Sequence, residues 1–90
     1  MSKRYRQLER LVRGFSNHRR IQMLEILTAT PEMDVAGLAR ACGVNFRTAS
    51  DHTVRLIRAG LVFKQQKGRR VLHTVSERGT SVLAFLRTMI

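Results

Sequence analysis

The sequence is poor in the residues that cross-link chains or anchor them in membranes. Of its 90 residues one is cysteine, one is proline and none is tryptophan. A single cysteine excludes an internal disulfide and indicates a reducing compartment. No run approaches the roughly 18 consecutive apolar residues of a membrane helix, and no apolar segment follows the charged N-terminus as in a secretory signal. We therefore expect a soluble cytoplasmic protein with no membrane partner.

Acidic residues are also scarce. The chain has six Asp and Glu against 17 Lys and Arg, which gives a formal net charge of +11. Residues 1–20 carry seven basic and one acidic side chain, residues 45–70 again carry seven and one, and residues 21–44 sum to −2. An excess of this size predicts an anionic partner, and its distribution places the positive charge on an N-terminal arm and on the segment after residue 44.

The apolar pattern predicts one domain over residues 1–90, since 43% hydrophobic content suffices for a single core and no linker interrupts it. A core this small makes oligomerisation an expected supplement. The first helix is indicated by an apolar stripe at helical spacing, and Gly14 with Ser16 and Asn17 predicts its end and a new N-cap. The stripe consists of Tyr5, Leu8, Leu11, Val12 and Phe15. A second helix, "HRRIQMLEILTA", is apolar over more than half its circumference and ends before Pro31.

Four further elements follow. Asp34 is expected to cap a helix over residues 34–42, which Gly43 closes. Asn45 opens a longer helix over residues 45–59. Residues 61–75 predict a hairpin with a basic tip and a turn containing Gly68, in which Leu61, Val62 and Phe63 face Val71, Leu72 and Val75. Ser76 caps a C-terminal helix over residues 77–90. The predicted fold class is mainly α with a small β-hairpin.

Two short helices joined by a glycine turn and followed by a basic hairpin are the parts of a winged helix-turn-helix. Ala39, Gly43 and Ala49 fit the spacing of small and apolar residues in that motif. The stretches "FSNHRRIQMLEIL", "VAGLARACGVNFRTASDHTVRLIRAGLV" and "FKQQKGRRVLHTVSERG" resemble ArsR-like winged helix-turn-helix transcriptional regulators, particularly archaeal ones. The resemblance implies a homodimer that binds double-stranded operator DNA in a sequence-specific manner and regulates transcription, with repression as the expected mode.

Helical geometry divides the helix over residues 45–59 into two faces. At about 100° per residue, Ala49, Thr53, Leu56 and Gly60 fall on one side and are expected to face the core. The opposite face is basic and suits insertion into a major groove. The candidate DNA contacts on this helix are Asn45, Arg47, Thr48, Ser50, Asp51, Arg55 and Arg58.

Each of these residues has an expected role. Arg47 matches guanine O6 and N7, Asp51 matches the cytosine amino group, and Thr48 suits a phosphate or a thymine methyl group. Arg55 and Arg58 lie further from the entering end and are expected at phosphates. The hairpin adds candidate phosphate or minor-groove contacts at Lys64, Lys67, Arg69 and Arg70. The alternative is that this charged face is merely solvated.

Three residues of this helix bear on the family comparison. His52 matches a histidine that is frequent in the family, and we expect it to pack at the edge of the core with a local hydrogen bond rather than to contact DNA. Thr53 stands where relatives carry leucine, which predicts slightly looser core packing. Val54 stands at a commonly polar position and is expected to face a thymine methyl group or another protein.

The terminal helices carry more apolar surface than a small core needs. A bare patch of this kind predicts association, and in the resembling family such helices pair into a two-fold dimer. The candidate interface residues are Leu8, Leu11, Val12, Phe15, Val82, Phe85, Leu86 and Met89, flanked by Leu83 and Ile90. The alternative is that both helices simply close the monomer core.

No metal, cofactor or catalytic site is predicted. Cys42, His18, His52 and His73 stand singly without metal-ligand spacing, and a cysteine beside a turn glycine is typical of a small buried hydrophobe. The run Ser50, Asp51, His52 does not form a triad, because consecutive helical residues diverge by about 100°. No glycine-rich phosphate loop is present.

Two other functions use the same basic surfaces. One is a sequence-indifferent architectural or chromatin protein, and the other is an RNA-binding winged helix, although the few aromatic residues are taken up by apolar stripes. Asp51 discriminates between specific and indifferent binding. A carboxylate in the groove repels phosphates and is useful chiefly where it selects a base.

Overall fold

The computed structural model describes residues 2–90. Its elements are α1 (Lys3–Phe15), α2 (His18–Ala29), α3 (Val35–Cys42), α4 (Phe46–Arg58), β1 (Val62–Lys67), β2 (Arg70–Val75) and α5 (Glu77–Arg87). This order of four helices, an antiparallel hairpin and a fifth helix confirms the predicted fold class. None of the helices in the described part of the chain is long and apolar enough to cross a bilayer.

The helix starts follow from local side-chain caps. Asp34, Asn45 and Ser76 each accept a hydrogen bond from a backbone N–H in the first turn of the helix that they precede, at 2.8, 2.8 and 3.0 Å. Asn17 accepts from two such groups at the start of α2. All four caps confirm the sequence prediction, and each contributes about 0.5–2 kcal/mol in proteins generally.

Helix α2 lies at the centre of the molecule. It contacts α1, α3, α4, α5 and β2, which confirms that its wide apolar arc is covered from more than one direction. The side chains with no exposed surface come from α2, α3, α4 and the start of the hairpin: Met23, Leu24, Leu27, Leu38, Ala49, Leu56 and Leu61. The inner face of α4 is thereby fixed against α2 and α3, so its other face projects from the body.

The predicted end of α1 and the new N-cap are confirmed at Ser16 and Asn17, but Gly14 does not take part in the break. The helix continues to Phe15, and Gly14 is buried in its last turn. At this point α1 passes over the end of α4, and a Cβ at Gly14 would overlap the Cβ of Ala59. Glycine is therefore needed here for close helix packing rather than for a turn. At the other end of the chain, α5 ends at Arg87 instead of extending to residue 90.

Gly60 closes α4 but does not belong to the core face as predicted. Its φ of 74° lies in the left-handed region, and its N–H donates to the carbonyl of Ile57 at 2.9 Å. The following N–H, that of Leu61, donates to the carbonyl of Leu56 at 2.9 Å. This chain reversal leaves Gly60 exposed and carries Leu61 into the core.

The hairpin register corrects the predicted facing pairs. Of the two predicted sets only Val62 and Val75 oppose each other, whereas Phe63 opposes Thr74, and the partners of Leu72 and Val71 are Gln65 and Gln66. Lys67 pairs with Arg70, so the turn has only two residues and sets the register by itself. Gly68 takes the first of these positions with a φ of 63°.

The base of the hairpin is tied to the loop between α2 and α3. His73 and Met33 form an antiparallel bridge in which the N–H of His73 donates to the carbonyl of Met33 at 2.8 Å. The N–H of Glu32 donates to the carbonyl of His73 at 3.1 Å, and His73 itself is buried. The hairpin therefore leaves the body from a fixed base.

The Gly14 contact gives a stability prediction. Gly14→Ala is expected to lower the free energy of unfolding by about 1–3 kcal/mol, because the added methyl group overpacks the crossing with Ala59. The sign is informative, since helix propensity alone predicts a gain of about 1 kcal/mol. Urea denaturation measures the difference. The exchanged variant Gly14→Ala/Ala59→Gly is the control and is expected to recover most of the loss; an unchanged or raised stability of Gly14→Ala would refute close packing.

Candidate nucleic-acid interface

Helix α4 presents one buried and one exposed face. Ala49, Thr53 and Leu56 retain at most 2% of their surface. The hydroxyl of Thr53 donates to the carbonyl of Ser50 at 2.8 Å, so this buried polar group is satisfied within the helix. The exposed face carries Arg47, Asp51, Val54, Arg55 and Arg58, with Thr48 and Ser50 half-buried at its edges. The helical periodicity thus predicted the division of the helix correctly.

The N-terminal end of α4 differs from the expectation at two residues. The side-chain oxygen of Asn45, a predicted DNA contact, accepts the capping hydrogen bond from the N–H of Thr48. Only the amide nitrogen of this side chain is therefore free for DNA. Phe46, which the sequence analysis did not include, is 60% exposed. Phe46 lies seven residues before Thr53 and therefore on the same side of the helix as the buried face. It is nevertheless exposed, because the first turn of α4 extends past the core. The sequence feature that could have identified Phe46 as part of the site is its position directly after the N-cap of the basic helix.

Phe46 lies at a surface concavity shared by the helix and the hairpin. A shallow concavity of about 290 Å³ lies between the starts of α3 and α4 and the hairpin, where it meets Arg69, Arg70 and Val71. The structure therefore brings the basic hairpin tip and the N-terminal end of α4 to the same side of the molecule. These two surfaces were predicted separately from the sequence, and the concavity connects them.

Two of the four basic hairpin residues have carboxylate partners. Lys67 pairs with Glu32, and Arg70 lies 3.4 Å from Asp34. The pKa of Asp34 is lowered, first by the hydrogen bond from the N–H of Gly37 and then by Arg70. All four side chains of these pairs are substantially exposed, so the pairs stabilise the hairpin only weakly. Sequence reasoning missed them because each joins residues about 35 positions apart.

His52 is held by a distant residue rather than by the local bond that was expected. Nη1 of Arg20 donates to Nδ1 of His52 at 3.2 Å. Since a guanidinium can only donate, Nδ1 accepts, and the imidazole is neutral with its proton on Nε2. Burial and then the charge of Arg20 lower the pKa of His52. The same arginine donates to the carbonyl of Arg13 at 3.3 Å, and it is 8% exposed.

The predicted dimer residues separate into two groups. Leu8, Val12, Phe85 and Met89 are 45%, 51%, 60% and 62% exposed. Leu11, Phe15 and Val82 instead pack partly against the core, and Leu86 is half-buried. Leu83, expected on the flank of this surface, is 3% exposed and belongs to the core. Two apolar strips remain open, one on α1 and one at the end of α5, where Ile90 is also exposed.

The single thiol and the histidines do not converge. Cys42 is buried, and burial raises the pKa of its thiol. Nδ1 of His73 lies 3.0 Å from the carbonyl oxygen of Met33. Within residues 2–90 no three His, Cys, Asp or Glu side chains are grouped as metal ligands would be.

The solved structures that are similar to this chain include DNA-binding transcriptional regulators. A possible ArsR-family transcriptional regulator from Mycobacterium bovis, whose first 100 residues form a homodimeric winged helix-turn-helix DNA-binding domain in solution, is 30% identical over 99% of this chain and 86% of that chain, with a TM-score of 0.85. A crystal structure of the same fragment, described as a possible transcriptional regulatory protein, is 29% identical over 98% and 95% of the chains, also with a TM-score of 0.85. HlyU from Vibrio cholerae is 28% identical over 99% and 94%, with a TM-score of 0.77. The sequence matches no protein-family profile and no curated protein.

The buried contact of His52 predicts a pH dependence. Because its folded-state pKa is depressed, the unfolded chain binds the proton more tightly. The stability is fully present above the ordinary histidine pKa of about 6.5 and is lost progressively as pH falls from there through the lower folded-state pKa. We expect urea denaturation to show this loss in the wild type and a smaller loss in His52→Gln. His18→Gln, which changes an exposed histidine whose charge has the smallest effect of those acting on His52, is the control and is expected to retain most of the wild-type slope; equal slopes for all three proteins would contradict the assignment.

Proposed function

Because the chain belongs to the ArsR-type winged helix-turn-helix transcriptional regulators, we propose that it binds double-stranded DNA as a homodimer and regulates transcription by recognising a specific site. The observation that carries this proposal is the exposed face of α4, which combines Arg47 and Asp51 at one end with Arg55 and Arg58 at the other. Such a face presents base-reading groups and phosphate-binding groups on one helix.

The N-terminal half of α4 enters the major groove in this proposal. Arg47 donates to guanine, and Asp51 accepts from cytosine. Thr48 and Ser50, at the edges of the exposed face, contact the flanking backbone, and Asn45 contributes its amide group beside the cap. Arg55 and Arg58 bind phosphates. Phe46 is exposed at the leading end and supplies apolar contact suited to a thymine methyl group.

The hairpin acts as the wing. Lys64 and Arg69 contact phosphates or the adjacent minor groove. Lys67 and Arg70 join them by exchanging their carboxylate partners for phosphates, which costs little because exposed ion pairs are weak. The fixed base of the hairpin at Met33 and His73 keeps the wing beside α4.

The dimer forms through the open apolar strips of α1 and α5. Leu8, Val12, Phe85 and Met89 supply its exposed surface, while Leu11, Phe15, Val82 and Leu86 support it from beneath. A two-fold dimer places two α4 helices about 34 Å apart, or a multiple of this distance, and requires a pseudo-palindromic site.

Several finer features belong to the same proposal. The protein acts in the cytoplasm by binding alone, without catalysis, and residues 1–90 work as one winged helix-turn-helix domain. We expect it to act as a repressor, since a dimer bound to promoter DNA excludes RNA polymerase. Transcription in vitro from a promoter that contains the recognised DNA site tests repression. The sequence resemblance favours an archaeal origin, whereas the similar solved structures from Mycobacterium bovis and Vibrio cholerae are bacterial.

Asp51 tests sequence-specific recognition. Asp51→Ala is expected to relax the preference at one base pair by about 1–3 kcal/mol and to tighten binding to random DNA, because a base-selecting group that repels phosphates is removed. The measurement is titration of a site selected from random DNA, its single-base variants and random DNA at one fixed salt concentration.

A matched control separates specificity from charge. Glu25→Ala also removes one exposed carboxylate, but from α2, and we expect it to leave the base preference unchanged. A wild-type ratio of specific to random affinity near one, with Asp51→Ala tightening binding to all DNA equally, would replace this proposal with the architectural alternative.

Sedimentation tests the dimer. Phe85→Glu is expected to shift the protein from dimer to monomer at micromolar concentrations, because it places a charge in an apolar interface. Phe63→Glu makes the same change at another exposed phenylalanine, in the hairpin, and is expected to leave the dimer intact. A wild-type monomer over this concentration range would overturn the proposed assembly.

A further inference from the structure

A cleft rich in arginine lies where α1, the end of α4 and the start of α5 meet. It has a volume of about 340 Å³, and its floor includes Gly14 and Ala59, the residues whose close contact brings α1 onto α4. Five arginines from three helices line it: Arg10, Arg13, Arg55, Arg58 and Arg78. No carboxylate is among its lining residues. Ligand sites of small molecules begin at about this volume.

The cations of this cleft are mostly unneutralised. In the part of the chain that the structure describes, Arg10, Arg55, Arg58 and Arg78 have no carboxylate within ion-pair distance. Arg13 lies 3.5 Å from Glu9, but both side chains are more than half exposed, so this pair is weak. Repulsion among five like charges opposes folding unless an anion relieves it.

A sixth cation lies behind the cleft. Arg20 is 8% exposed and donates to the carbonyl of Arg13, which places its charge against one wall. Its Nε is buried without a hydrogen-bond partner in the structure. Burial and the nearby Arg55 lower its pKa, so the positive charges are close enough to act on one another. A buried cation raises the local positive potential more than a solvated one.

The cleft is also partly pre-formed. Nη1 of Arg78 donates to the carbonyl of Ala59 at 3.1 Å, which fixes that guanidinium at the rim and leaves its other N–H groups for a ligand. Arginines from three helices around one small volume suit the tetrahedral oxygens of a phosphate better than a single carboxylate.

We propose that this cleft is a phosphate-binding site in which Arg10 and Arg13 of α1 act together with Arg55, Arg58 and Arg78. The phosphate comes either from the backbone of bound duplex DNA or from a free oligophosphate. The first source rests on the proposed function: Arg58 lies in line with Arg47 on α4, so a backbone that follows the exposed face of this helix reaches the cleft. The second source does not depend on DNA.

The experiment removes the two α1 cations of the cleft. Arg10→Gln/Arg13→Gln is compared with Lys3→Gln/Arg4→Gln, which removes the same charge from exposed residues of the same helix outside the cleft. Circular dichroism confirms that both variants fold, and the single changes Arg10→Gln and Lys3→Gln repeat the comparison with the Arg13–Glu9 pair intact. Calorimetry with inorganic tripolyphosphate, without DNA, and the salt dependence of duplex binding are the two measurements.

Each source of phosphate gives its own result. If free oligophosphate is the ligand, the cleft variant loses tripolyphosphate affinity by roughly tenfold or more, while the control stays near the wild type. If the DNA backbone is the ligand, the salt slope of duplex binding falls by about one for each lost phosphate contact in the cleft variant alone. The proposal is overturned if the cleft variant and the control agree in both measurements.

These results remain separate from the test of the proposed function. A wild-type protein that recognises no specific DNA site, but whose tripolyphosphate binding is lost only in the cleft variant, keeps the phosphate site and refutes the regulator. A protein that recognises its site with unchanged salt slope and no tripolyphosphate binding in either variant keeps the regulator and refutes the phosphate site.

Discussion

The placement of the exposed helix depends on one buried cation. Arg20 extends from α2 and donates to the carbonyl of Arg13 in α1 and to the imidazole of His52 in α4. A single side chain thus connects three helices without a carboxylate partner. Burying an unpaired charge is costly, and here the hydrogen bonds to the carbonyl of Arg13 and the imidazole of His52 offset part of that cost. The same contact keeps His52 neutral and adds a polar link to the apolar packing that orients α4.

Most of the fold could be predicted because it depends on interactions between residues close together in the sequence. The caps at Asn17, Asp34, Asn45 and Ser76 involve side chains within three residues of the N–H groups that they accept from, so sequence alone identifies them. Only the role of Gly14 in the break between α1 and α2 was wrong, because glycine breaks helices on average and its contact with Ala59 at the end of α4 cannot be read from neighbouring residues. The facing residues of the hairpin were predicted incorrectly because the strand register depends on the length of the turn, and the sequence analysis placed Gly68 in the turn without giving that length.

The candidate site was predictable to a similar extent and for the same reason. Periodicity separated Ala49 and Leu56 from Arg47 and Asp51, because all four lie on one regular helix. The partners that modify this surface come from remote segments: Arg20 for His52, Glu32 for Lys67 and Asp34 for Arg70. Long-range pairs of this kind depend on how the helices and the hairpin pack, which composition and spacing do not encode.

The two ion pairs of the hairpin have a consequence for energetics on DNA. A lysine or arginine surrounded by solvent gives up no protein carboxylate when it meets a phosphate, whereas Lys67 and Arg70 must release Glu32 and Asp34. The freed carboxylates then collect cations from solution as the phosphates lose theirs. In the proposed complex the net number of counterions set free is therefore smaller than the number of basic side chains at the DNA backbone, which makes the contribution of the hairpin to binding less dependent on salt concentration.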